Sequence, residues 1–175
     1  MAAIVRHGIA SMYGDGSQGD PDVFYYLTLY NENYPMPAMP DTPGLEEAIV
    51  RGIHRWKPAG TDDRPKATLL FSGTAHLAVE RAAADLAEHY GVDCELWSAT
   101  SYKALREEAL ETERWNRLHP DQPARTPYVA QVLADAPGPI VAVSDYMRMV
   151  PEQIARFLSG RSFTALGTDG MGRSD

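Results

Sequence analysis

From residue 67 onward the chain alternates short apolar runs with longer amphipathic ones. No other feature of the sequence narrows its fold as much. "ATLLFSG" (67–73), "VDCELWSA" (92–99), "GPIVAVSD" (138–145) and "SFTALGTDG" (162–170) are each rich in apolar and β-branched residues and end at a turn signal. They read as four strands, the first of them buried. Between them, "TAHLAVERAAADLAEHYG" (74–91) carries a helical stripe closed by Gly91, and "SYKALREEALETERWNRL" (101–118) is a charged amphipathic helix. "TPYVAQVLADA" (126–136) reads as a short helix, and "VPEQIARFLSG" (150–160) as a helix with Pro151 near its first turn. Helices of this length can serve as crossovers between parallel strands. The expected fold class is therefore α/β: a mostly parallel sheet with helices on both faces.

The first third is organised differently. "MAAIVRHGIASMYG" (1–14) sets Ile4, Val5, Ile9 and Met12 at near-helical spacing. "VFYYLTLY" (23–30) reads as a buried strand. "TPGLEEAIVRGIHRW" (42–56) reads as one helix, with Leu45, Ile49, Ile53 and Trp56 on a single stripe and Glu46 and Glu47 near its start. The charged, Pro- and Gly-containing linker "KPAGTDDRPK" (57–66) is the expected boundary, giving parts 1–57 and 67–175. Both ends read as cut: the chain opens inside a helix and closes on a loop leading out of a strand.

Composition limits the class of function. A net charge of −8 and a pI of about 5.1 disfavour nucleic acid or an anionic membrane as a partner, because both require clustered Lys and Arg. One cysteine, Cys94, excludes an internal disulfide and fits a reducing cytoplasm. Neither a membrane span nor a signal segment is visible.

The segment after residue 30, "YNENYPMPAMP", packs Asn31, Glu32, Asn33 and Tyr34 into four successive positions at the end of the expected strand. Pro35, Pro37 and Pro40 stiffen it, which lowers the cost of holding polar groups in place. These four residues are the candidate active-site wall. The competing reading is a domain-exit loop that satisfies its own backbone. "SGT" (72–74) ahead of His76 could bind an anion at a helix start, but it lacks a P-loop lysine and reads more simply as a cap by Ser72 or Thr74. His7, His54 and His89 lie on separate elements and read as surface or helix-end residues; no metal-ligand spacing is present. "DGMGRSD", with Asp169 and Asp175, offers too few oxygen ligands for a cation and reads as a strand-end loop. Cys94 reads as buried and inert, and "ALREEALETERW" as a solvated or interface helix face.

Several long blocks carry a resemblance. "DVFYYLTLYNENYPMPAMP", "LLFSGTAHLAVERAAADLAEHYGVDCELWSATSY", "ERWNRLHP", "TPYVAQVLADAPGPIVAVSDYM" and "LGTDGMGRSD" together resemble, in order, the C-terminal part of the single-chain pyruvate dehydrogenase first components of the transketolase-like superfamily. The resemblance implies that residues 1–57 are the tail of a pyrimidine-binding α/β domain with a connecting helix. It makes 67–175 a transketolase C-terminal-like domain. It further implies a homodimer that uses thiamine diphosphate and Mg2+, acts on pyruvate and passes an acetyl group to a lipoyl acyltransferase component. The diphosphate, the metal and the activating carboxylate would lie upstream of this sequence. No cofactor or metal is then expected for this chain alone, and its part is walls and orientation. Some relatives carry a histidine directly after the Tyr of the Asn31–Tyr34 block. Pro35 stands there here and can neither donate nor transfer a proton, which leaves the choice of 2-oxo acid open. The alternative is a free-standing α/β module that binds or regulates a partner without catalysis.

Overall fold

A computed structural model of the chain describes residues 1–14, 22–30, 33–35 and 38–169. The chain divides into two units, Met1–Val50 and Arg51–Asp175. The larger is built on a five-stranded sheet: β1 (Ile53–Lys57), β2 (Lys66–Phe71), β3 (Asp93–Ala99), β4 (Ile140–Met147) and β5 (Phe163–Thr168), in the order β1-β3-β2-β4-β5. β2 runs parallel to both β3 and β4, and β4 parallel to β5; β1 alone is antiparallel, on the outer edge of β3. The mostly parallel α/β sheet expected from the alternation is present.

The sequence of β2 shows why it lies at the centre. Five of the six residues of "KATLLF" are buried. Alternate side chains leave a strand on opposite faces. Leu70 accordingly packs into one core and Leu69 and Phe71 into the other. The first core joins the sheet to α4 (Tyr102–Leu118), α5 (Tyr128–Val132) and the turn carrying Ile154, Phe157 and Leu158. The second joins it to α3 (Ala75–His89) through Ala75 and Val79, with Cys94 and Leu96 below. In α4 the buried residues Tyr102, Leu105, Ala109 and Thr112 recur at helical spacing. Its start is capped by Ser101, whose Oγ accepts from the Ala104 N–H at 3.1 Å. At the far end of α3, Gly91 has φ +64°, and the Leu86 carbonyl accepts from Tyr90 and Val92 N–H, closing the helix.

Three elements differ from the sequence reading. The helix expected to run through Trp56 stops as α2 (Leu45–Arg51), and Ile53–Lys57 is a strand. Gly52 is the cause: it adopts φ +108°, and its carbonyl accepts from Thr100 N–H at 2.9 Å and Ser101 N–H at 3.1 Å, fastening the chain to the end of β3. The chain has therefore entered the sheet before the charged linker is reached, and residues 51–66 belong to the larger unit. Residues 150–160 form a short helix, α6 (Met149–Glu152), followed by a 3-10 turn (Ala155–Phe157), in place of one helix. Three-residue hydrogen bonds such as Ile154 N–H to Pro151 O and Phe157 N–H to Ile154 O tighten the path, bringing Ile154, Phe157 and Leu158 into the core.

The third difference is in the smaller unit. α1 (Ala2–Tyr13) forms as expected, and Ala3 and Ile4 pack against Leu45 and Ile49 of α2. Arg6 pairs with Glu46 at 2.9 Å. "VFYYLTLY" is not a strand: no ladder partner flanks it among the described residues, and Phe24 and Tyr26 are 83% and 84% exposed. A strand-like sequence without an edge to pair with gains nothing from extended geometry. Tyr25 instead lays its ring beside Gly8 and brings its hydroxyl to within 2.7 Å of His7 Nδ1.

Candidate functional site

The parallel strands β2, β3, β4 and β5 present their C-terminal ends along one edge of the sheet. From β2 the sheet extends through β3 on one side and β4 on the other. The loops leaving β2 and β4 thus diverge, and this switch point is the crevice position at which open α/β sheets bind ligands.

Its floor is built from the residues directly after the two strands. Ser72 N–H donates to Val143 O at 3.2 Å, which carries the β2–β4 pairing one residue beyond the ladder. The Ser72 hydroxyl donates to Ser144 Oγ at 3.1 Å, and Ser144 Oγ also accepts from Tyr146 N–H at 3.1 Å. Both serines are buried. Above them Thr74 Oγ1 donates to Asp145 Oδ2 at 3.0 Å. Ser72 and Thr74 do not cap α3 with their side chains; they tie its start to the end of β4. The Asp145 carboxylate is thus bonded to the N-cap residue of α3, at the end of the helix where the dipole favours negative charge. This interlock joins residues 71 and 72 positions apart. It becomes readable only once β2 and β4 are known to be neighbours.

The histidines divide differently from the sequence reading. His54 is not a surface residue: it lies on β1 at 8% exposure, its Nδ1 has no hydrogen-bond partner, and burial pushes its pKa below the usual imidazole value. His76, in the first turn of α3, is also buried, its ring 6.2 Å from that of Phe71. His7 pairs with Tyr25, and His89 is exposed in the last turn of α3. His119 stacks on Trp115 at 4.4 Å and 15°, while the Arg125 guanidinium lies 3.6 Å from the Trp115 ring centre. Asn116 closes this loop by donating to Arg125 O and accepting from Arg125 N–H, at 2.9 and 2.8 Å.

Among the described residues no group of three or more His, Cys, Asp or Glu side chains is placed to hold a metal ion. Cys94 is buried in β3, and burial raises the pKa of its thiol, as suits an inert core cysteine. Asp169 pairs with Arg148 at 3.3 Å; the rest of "DGMGRSD" lies outside the described residues. The charged face of α4 is occupied by its own pairings: Lys103 with Glu107 at 2.7 Å, Glu113 with Arg156 at 3.1 Å, and Glu108 accepting from Tyr128 N–H.

Of the four wall residues, Asn31 and Glu32 lie outside the described residues. Asn33 is exposed, and Tyr34 is half-buried with its ring edge-on to Tyr30, centres 6.2 Å apart. They belong to the smaller unit and the crevice to the larger.

Comparison with known proteins shows which family this sheet belongs to. The chain is 44% identical to the pyruvate dehydrogenase E1 component of Mycolicibacterium smegmatis, 42% to that of Escherichia coli K12 and 40% to that of Pseudomonas aeruginosa. Each match covers 100% of this chain and falls in the C-terminal region of the relative. The chain spans only 18–19% of the length of these curated relatives. No helix among the described residues is long and apolar enough to cross a membrane. Residues 52–175, which hold the five strands and the crevice, match the transketolase-like TK C-terminal domain, and the chain belongs to that family.

Proposed function

We propose that this sequence works as part of a pyruvate dehydrogenase (acetyl-transferring) E1 enzyme. Such an enzyme decarboxylates pyruvate on thiamine diphosphate and transfers the acetyl group to the lipoyl domain of an acyltransferase component. The observation that carries the reading is identity of 40–44% to E1 components along the entire chain. The described residues do not themselves fit thiamine diphosphate and Mg2+. No group of three or more His, Cys, Asp or Glu side chains is placed among them to hold a metal ion. We therefore assign the cofactor site to other parts of such an enzyme. To this chain we assign the scaffold between domains and between the two subunits of a cytoplasmic homodimer. Asn31, Glu32, Asn33 and Tyr34 form a polar wall beside the substrate in that reading.

A chimera tests it. The corresponding segment of the Mycolicibacterium smegmatis E1 component is replaced by these 175 residues, and pyruvate-dependent acetyl transfer is measured. Activity within about tenfold of the parent is expected, a barrier change of about 1.4 kcal/mol or less. A folded chimera that binds thiamine diphosphate and Mg2+ but turns over no pyruvate would overturn the proposal. In the active chimera, Asn33→Ala or Tyr34→Ala should lower turnover by a further factor of about 10. Unchanged turnover in both would remove the wall from the reading while leaving the scaffold role in place.

A further inference from the structure

We draw no further inference here: the strongest candidate, the groove of about 340 Å³ between α3 and the β1–β3 edge lined by Lys57, Glu80, Ala84, Asp93 and Cys94, is walled by a stripe of alanines over a lone buried cysteine, and nothing in the structure shows what would occupy it.

Discussion

His54 and Tyr102 each place a polar atom in an apolar setting without a partner. The two respond differently to substitution. For His54, the folded-state pKa lies below the unfolded value of about 6.5, so the unfolded chain takes up its proton first as pH falls. Its contribution to stability is therefore complete above about pH 6.5 and is lost as pH drops through that value towards the folded pKa. Urea midpoints at pH 7.5 and 5.5 should show a steeper acid-side loss for the parent than for His54→Phe; equal losses would mean that the imidazole is not held neutral. For Tyr102, burial raises the phenol pKa and leaves the hydroxyl without a hydrogen bond. Tyr102→Phe removes that hydroxyl and keeps the ring in the core, so unfolding free energy should rise by about 1 kcal/mol. A fall of that size would reveal a partner for the hydroxyl. Neither prediction was legible in the sequence. The burial of Cys94 could be read from its place in an apolar run, but His54 sits in a segment whose pattern suggested a helix. Its environment is set by the pairing of His54 with Ser98 on β3.

At the level of elements, that helix reading failed for an identifiable reason. Leu45, Ile49, Ile53 and Trp56 do recur at helical spacing, yet they serve three different cores. Leu45 and Ile49 pack with Ala3, Ile53 with the α4 side of the sheet, and Trp56 edge-on to Phe71 at 5.8 Å. Gly52 separates them, and a single glycine inside a periodic run is a weak signal by itself. Its importance can be measured. A β-carbon there would lie 2.6 Å from the Ser101 carbonyl oxygen, on a backbone with φ +108°. Gly52→Ala should cost about 2 kcal/mol or more and lower the denaturation midpoint of the larger unit. A cost below about 0.5 kcal/mol would show that α2 and β1 can be joined in another way. The strands β2 to β5, by contrast, could be read in advance, because apolar runs with turn signals at both ends leave little choice in a chain with intervening helices.

Across the whole molecule, the two units differ in how completely they cover their own backbone. The larger has a five-stranded ladder between two cores; among the described residues the smaller has one small cluster, around Ala3, Leu45 and Ile49. Amide hydrogen exchange should accordingly be fastest at residues 23–30 and slowest in β2 and β4. Equal protection of 23–30 and β2 would mean that the smaller unit supplies a ladder missing among the described residues. This is also where sequence reading reached its limit. "VFYYLTLY" has the composition of a buried strand, but burial and pairing are properties of neighbours, and composition alone cannot supply them. The crevice was illegible for a related reason, since its serines meet only through the strand order.

That strand order also sets a timetable for synthesis. Thr68 on β2 pairs with Ile140 on β4, and the chain between them carries α3, β3, α4 and α5. A ribosome adding about 5–20 residues per second leaves one edge of the central strand open for several seconds after β3 has closed the other. Throughout that interval Leu69, Leu70 and Phe71 lie on a half-built sheet whose free edge can accept any passing strand. The nascent chain is therefore most exposed to mispairing between the completion of β3 and the arrival of β4. The delay follows from threading β2 between β3 and β4, the same arrangement that creates the crevice.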